Sequence, residues 1–482
     1  MFRRLILTYH GLAEPIKASL WFTISSVIQR GISLLTTPIF TRLLTTEEYG
    51  VYSVYQSWYS IIIIFTTLNL YAGVYNNGMT KWPEARRQYT SALQGLSTTI
   101  TILCFLIYLC SMKFWNKLLG LSTLFVLSIF IEVLFVPAFN FWASGQRFNY
   151  EYKKLVGVSV GMGIASPVLG VIAVVLSPHK AEARVLSYVF VQVCVGLAFY
   201  IYNMYEGKKF FIKKYWIFAL KFNIPLIPHY LAQTVLNQAD RIMIAEMVGK
   251  GEAAIYSVAY TISMMFTIVT SAINNTFIPY TYKAIRDKKY KDLKKNASFL
   301  VLFVGAACIV AMAFGPEIIR IFAAPEYYDA RWVVPPVAEA LLFMFIFPLF
   351  CNIEFYFEQT KFIMVASGLA AAINVGLNYV AIKMFGYVAA AYTTLICYIL
   401  LAIAHYIAHR KICREEGIYF ELYDMKFILA ISAVSLCIMM GMTLVYDSFA
   451  VRYAVIAMIV IVIVVKRNVV INKLREIKEG NN

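Results

Sequence analysis

Fourteen apolar runs, each long enough to cross a bilayer, fix the solvent in which this chain must fold. A hydrocarbon core of about 30 Å needs about 20 apolar residues of helix. Within it every backbone N–H and C=O has to be paired inside the protein, which a helix achieves within one segment. Runs of that length fall at 18–41, 49–72, 89–111, 118–144, 155–176, 183–203, 217–246, 253–278, 298–320, 333–353, 362–382, 387–408, 426–446 and 449–465. The last has the shortest uninterrupted stretch, because Arg452 enters near its start, where a long side chain can snorkel to the interface. Composition agrees, since 61% hydrophobic and 14% charged residues exclude a soluble domain of this length. The spacing predicts an all-α polytopic membrane protein.

Basic loops stay cytoplasmic. With the N-terminus inside, thirty Lys and Arg fall on the cytoplasmic side and nine, Arg42, Arg184 and Arg452 among them, on the other. An even number of crossings then returns the C-terminus to the cytoplasm. The densest cluster, Lys283 to Lys295, joins the eighth and ninth runs and sets the topology. The formal charge of +17 follows from such loops lying beside anionic headgroups, so the implied partners are membrane lipids, not nucleic acid. The eight cysteines lack the spacing of a zinc site or a disulfide framework and are read as packing, with no metal expected. The opening Met-Phe-Arg-Arg-Leu is not followed by a signal-peptide pattern, so the first run is expected to stay in the mature protein.

The first run carries a charge near its centre. Steps of three and four from Arg30 give Thr23, Ser26, Ser33, Thr37 and Thr41, while apolar residues fill the other sides. A guanidinium at mid-bilayer costs about 2.5–3.5 kcal/mol on insertion scales, so this face is expected to meet protein or water, not lipid.

Sliding the chain on itself by 204 residues sets Glu48, Tyr52, Ser53 and Val54 on Glu252, Tyr256, Ser257 and Val258. The same shift carries Ser26, Arg30, Ser33 and Thr37 onto Tyr230, Thr234, Asn237 and Arg241. A looser match pairs Pro137–Gln146 with Pro348–Gln359. Runs one to six and seven to twelve therefore read as parallel halves, 1–205 and 206–410, around a central cavity, with two extra helices and a cytoplasmic tail in 411–482.

Charges inside the runs mark candidate contacts. Arg241 lies about 10 Å outward of the position equivalent to Arg30, at about 1.5 Å per residue, so the two form rungs at different depths. Asp240 adjoins Arg241, and Glu132 in the fourth run matches Arg30 in depth, which makes pairing or proton coupling its expected role. Glu339 and Glu246 are expected to reach the interface. Lys221 and His229 flank Pro225 and Pro228, which should bend or break the seventh helix. Tyr52, Tyr55, Tyr59, Tyr230 and Tyr256 lie on or beside the polar helices, where sugar rings can stack.

The stretch from Ala18 through Arg30, Thr37 and Arg42 to Tyr49-Gly-Val-Tyr-Ser resembles the opening of the bacterial polysaccharide repeat-unit flippases, the Wzx-type branch of the multidrug/oligosaccharidyl-lipid/polysaccharide exporter superfamily. Asp240-Arg-Ile-Met-Ile, Gly249 and Ile255-Tyr-Ser-Val-Ala-Tyr look like the matching seventh and eighth helices. The resemblance implies an inner-membrane translocator that flips an undecaprenyl-pyrophosphate-linked oligosaccharide outward by alternating access. Its cavity arginines map onto Arg30 and Arg241, whose forks suit phosphate oxygens. Ser26, Ser33, Thr37, Tyr230, Thr234, Asn237 and Lys221 are the remaining expected substrate contacts. No cofactor is implied; H+ or Na+ coupling stays open, and polysaccharide polymerase machinery is a candidate partner.

A drug/cation antiporter of the same superfamily is the alternative, though it would need poised carboxylates where this chain has arginine. A major-facilitator transporter fits less well, since the loop from Gly73 to Gln88 lacks that family's Gly, Asp-Arg and paired basic pattern. A membrane polymerase or ligase would show a carboxylate pair on a substantial outer loop, and these outer loops are short.

Overall fold

The computed structural model describes residues 14–454 and 456–457, so the fourteenth run falls mostly outside the described residues. Helix α1 (Glu14–Leu43) runs 30 residues through Pro38. Thr45 caps α2 (Thr46–Thr67): its side chain accepts from the Glu48 N–H while its own N–H donates to the Glu48 carboxylate, a reciprocal capping box that fixes the bend between the helices. Then follow α3 (Gly73–Lys81), α4 (Arg86–Cys110), α5 (Met112–Leu119), α6 (Thr123–Phe148), α7 (Tyr152–Leu176) and α8 (Lys180–Gly207).

The expected seventh helix is broken where its two prolines stand. Helix α9 (Lys213–Asn223) stops, a 3₁₀ turn holds Ile224–Leu226, and α10 (Ile227–Met247) begins with Pro228 in its first turn, where a missing N–H costs nothing. The chain continues through α11 (Lys250–Ser263), α12 (Thr267–Arg286), α13 (Tyr290–Ala313), α14 (Gly315–Phe322), α15 (Val334–Tyr356), α16 (Thr360–Phe385), α17 (Ala389–Glu415) and α18 (Met425–Val445).

Ten helical stretches among the described residues are long and apolar enough to cross a membrane. Helices α1, α2 and α10 are not among them, although they hold 30, 22 and 21 residues. These are the expected first, second and seventh crossings, so the shortfall from fourteen comes largely from their polar faces.

The chain divides into two compact units, Met1–Ala254 and Ile255–Asn482. In the first, α4, α6 and α7 pack on α8, α1 packs on α7, and α10 packs on α2, which groups the seventh crossing with this unit. In the second, α15 and α16 pack on α17, while α13 packs on α15 and α18. The fourth and sixth crossings of one unit, and the tenth and twelfth of the other, thus make the same pairing.

Lipid tails are as apolar as leucine, so close packing, not escape from water, holds these helices together. Val126, Ile129 and Val133 of α6 interlock with Tyr55 of α2 and with Val185 and Val189 of α8, all buried. Farther along, a Cβ on Gly196 of α8 would lie 2.7 Å from the Phe135 carbonyl carbon and 2.9 Å from the Val136 nitrogen. Only glycine lets those backbones meet. Asn203 ties the same region, donating to Gln94 Oε1 at 2.8 Å and to the Ala138 carbonyl at 2.9 Å.

Two expectations for the second unit are corrected. Glu339 does not reach an interface: it is fully buried and accepts from the Ser435 hydroxyl, because α18 covers its face of α15. Arg452 does not snorkel outward; it is buried and ion-paired with Glu317.

Candidate functional site

In the first unit, α1, α2, α6, α7 and α8 leave a cavity of about 410 Å³ between them. Each helix presents residues at helical spacing: Gln29, Ser33 and Thr36 from α1, Tyr52 and Tyr59 from α2, Phe139 and Asn140 from α6, Ser159, Gly163 and Ser166 from α7, and Arg184, Tyr188 and Gln192 from α8. Hydroxyls and amides dominate, aromatic rings supply flat faces, and no carboxylate lines the wall. Such a surface can exchange hydrogen bonds with a polyhydroxylated ligand while stacking its rings.

Arg184 is the charged member of this lining. It is 8% exposed, and its guanidinium carbon lies over the rings of Phe40, 3.8 Å from the centroid, and Tyr52, 4.2 Å from the centroid. Charge counting places it on the outer side; α8 begins at Lys180, so Arg184 sits a full turn inside the helix. The signal was present in the sequence, since Arg184, Tyr188 and Gln192 recur every four residues on one face.

The expected stripe on α1 meets this cavity only in part. Ser33 lines it, but its neighbours there are Gln29 and Thr36, one residue round the helix from Arg30 and Thr37. Arg30 and Ser26 are exposed, and Ser26 donates to the Phe22 carbonyl. Thr37 is buried and donates to the Ser33 carbonyl at 2.9 Å.

Glu132 does not pair with Arg30. It is fully buried and its Oε2 accepts from the Tyr55 hydroxyl at 2.8 Å, because its face of α6 is turned to α2.

On α10, Arg241 is buried and bonded along its own helix, to the Asn237 carbonyl at 2.6 Å and Gln238 Oε1 at 2.8 Å. Gln238 also accepts from Ser57 of α2 at 3.3 Å, so Arg241 is braced to the helix that carries Tyr52 and Tyr55. Asp240 is buried, Tyr230, Thr234 and Asn237 are half-buried, and Lys221 is exposed. Tyr49 lies within electrostatic reach of both Arg184 and Arg241, which brings the missed arginine and an expected one to the same end of α2.

A larger cavity, about 890 Å³, opens where α3, α4, α6 and α8 end, lined by Arg86, Arg87, Lys154, Lys208 and Lys209 with Glu84, Glu151 and Glu206. Arg87 is ion-paired with Glu206 at 2.6 Å, and Arg86 donates to the Met79 carbonyl. Burial pushes the Tyr75 hydroxyl in this wall up to about 12, against the opposing effect of its hydrogen bond with Thr90, so it stays neutral. In the second unit, Cys351, Glu354 and His405 bring three possible donor atoms within 4.8 Å of one another, with His405 Nδ1 2.8 Å from Glu354 Oε1.

Residues 16–284, more than half of the chain, match the family model described as polysaccharide biosynthesis protein. The chain belongs to that family. A second model, MatE, matches residues 225–380 of this family member. A protein of the Lsg locus of Haemophilus influenzae is 22% identical over 398 residues, covering 77% of this chain and 93% of the relative. Among solved structures, the lipid II flippase MurJ in an inward closed conformation superposes with a TM-score of 0.68 at 13% identity, over 94% of this chain and all of that one. An inward-facing multidrug resistance MATE transporter of the MOP superfamily gives 0.61 at 12% identity, over 84% of this chain and all of that one. The fold of this polysaccharide-biosynthesis family member is thus the polytopic helical fold that the lipid II flippase and the MATE transporter structures share.

Proposed function

We propose that this protein flips an undecaprenyl-pyrophosphate-linked oligosaccharide repeat unit from the cytoplasmic to the outer face of the bacterial inner membrane by alternating access, with both termini cytoplasmic. The observation that carries the reading is the 410 Å³ cavity inside the first unit, walled by hydroxyls, amides and aromatic faces and free of carboxylates. Such a lining suits a sugar, whose hydroxyls can exchange hydrogen bonds with it. In this reading Arg30 and Arg241 contact the pyrophosphate at successive depths, and Ser26, Ser33, Tyr230, Thr234, Asn237 and Lys221 contact the passing cargo. Glu132 and Asp240 are the buried carboxylates among the described residues of the first unit, through which H+ or Na+ coupling would act, and polymerase machinery would receive the flipped unit. The family match and the likeness to a lipid II flippase support it.

The MatE match favours the drug/cation antiporter as second reading. A cationic drug, however, asks for a carboxylate in the cavity, and this one offers a guanidinium. The test is purified protein in liposomes with labelled lipid-linked oligosaccharide on one face. Movement of unchanged lipid to the other face is expected. No movement, together with transport of a cationic dye, would transfer the assignment to the antiporter.

A further inference from the structure

We infer that Arg184 is an anion subsite within the 410 Å³ cavity, taking a carboxylate or phosphate of a ligand whose hydroxyls meet the rest of the wall. Three observations converge on it. Arg184 is more than nine-tenths buried, and its Nε and Nη1 meet no acceptor among the described residues. Its planar group packs over the rings of both Phe40 and Tyr52. The residue lines a cavity whose other lining groups are neutral.

A buried guanidinium with two donors unmet is a costly arrangement, and one packed against two rings has already lost part of the freedom that binding would take from it. Both conditions favour an oxyanion, which a guanidinium fork grips through two parallel N–H donors. Gly170 of α7 makes the stack fit. A Cβ there would lie 2.9 Å from Phe40 Cζ and 3.0 Å from Arg184 Nη1, so Gly170 is a positioning residue for the guanidinium.

Around the cavity, Gln29, Ser33, Asn140, Ser159 and Gln192 supply both donors and acceptors. The ligand is therefore an anionic sugar or the phosphate next to a sugar. This rests on the proposed glycolipid cargo.

The experiment uses the full chain in nanodiscs and reads thermal stabilisation by three probes: methyl glucuronide, methyl glucoside and inorganic pyrophosphate. Glucuronide or pyrophosphate should stabilise the wild type, and Arg184→Gln should weaken that response at least tenfold. Arg184→Lys should restore it in part, and glucoside should respond equally in all three proteins. Glucuronide acting without pyrophosphate identifies a sugar carboxylate; the reverse identifies a phosphate. Gly170→Ala, which leaves Arg184 present but displaced, should also weaken the anion response and keeps the test open if Arg184→Gln folds poorly. Responses to glucuronide and pyrophosphate that both fail to exceed the response to glucoside, or an anion response unchanged in Arg184→Gln and Gly170→Ala, would overturn the subsite. Lipid movement in the liposome assay by wild type alongside such a result would leave the flippase reading standing.

Discussion

Tyr55→Phe removes a single oxygen, yet it should destabilise the first unit measurably. Glu132 is fully buried; its Oε1 has no donor among the described residues and its Oε2 has the Tyr55 hydroxyl at 2.8 Å. The substitution leaves both carboxylate oxygens without that donor, and orphaning one buried acceptor costs about 1–3 kcal/mol. Glu132→Met, apolar and of similar length, orphans the Tyr55 hydroxyl instead, at a cost of the same order. The double variant has neither orphan. Its loss should therefore fall short of the sum of the two single losses by about 1–3 kcal/mol. The assay is unfolding of the purified protein in mixed micelles with added SDS, run as a double-mutant cycle. A parallel cycle with Arg30→Gln and Glu132→Met should be additive within about 0.5 kcal/mol, as for groups that share no contact. Coupling in the Arg30 cycle with additivity in the Tyr55 cycle would refute the reasoning and restore an arginine–glutamate pair.

Arg30→Ala and Arg241→Ala should each abolish polysaccharide export in a complementation assay while protein abundance in the membrane stays at the wild-type level; wild-type export in both would remove them from the site. Gly196→Ala should be less stable than Gly157→Ala by about 1–3 kcal/mol, because a Cβ at 196 meets backbone whereas one at 157 meets nothing within 4 Å, and both gain the same helix propensity. Equal melting temperatures would show that α6 and α8 can part freely. In a cysteine scan with a membrane-impermeant thiol reagent, Ser33→Cys should label and Thr37→Cys should be protected, since Ser33 borders the cavity and Thr37 is buried.

Helix positions were legible because a bilayer crossing needs length and apolar content, and both are linear properties of sequence. The broken seventh helix was legible for the same kind of reason: Pro225 and Pro228 lack backbone donors wherever they fall. Facing was harder. On α1 the stripe centred on Arg30 was readable as polar, but adjacent residues point about 100° apart, and only the neighbouring helices decide that Gln29, Ser33 and Thr36 meet the cavity. Glu132 matched Arg30 in depth, yet depth says nothing about the direction in which α6 turns it. Arg184 was missed because charge counting assigns a basic residue near a helix end to the loop, and nothing in that counting registers two rings from α1 and α2 closing over it.

The three long helices that fall short of the apolar measure, α1, α2 and α10, point to one further consequence. A helix with hydroxyls, amides and guanidinium groups on one face gains little from lipid there, so its position depends on partners within the protein. For α2 those partners are specific: the Tyr55 hydroxyl on Glu132 of α6, the Tyr52 ring over Arg184 of α8, and Ser57 on Gln238 of α10. Each is a single polar or stacking contact, distinct from the apolar layer in which Val126, Ile129 and Val133 of α6 meet Tyr55 of α2 and Val185 and Val189 of α8. Such contacts can be exchanged for equivalent ones with a cargo hydroxyl or phosphate at little net change in free energy, because a hydrogen bond replaced by another is nearly neutral. The polar face that binds is then also the face along which helices can shift, whereas the apolar layers would need to open voids in order to move. Transport in this fold would therefore use the wet helices as its moving surface and the close-packed α6–α8 pair as its fixed one.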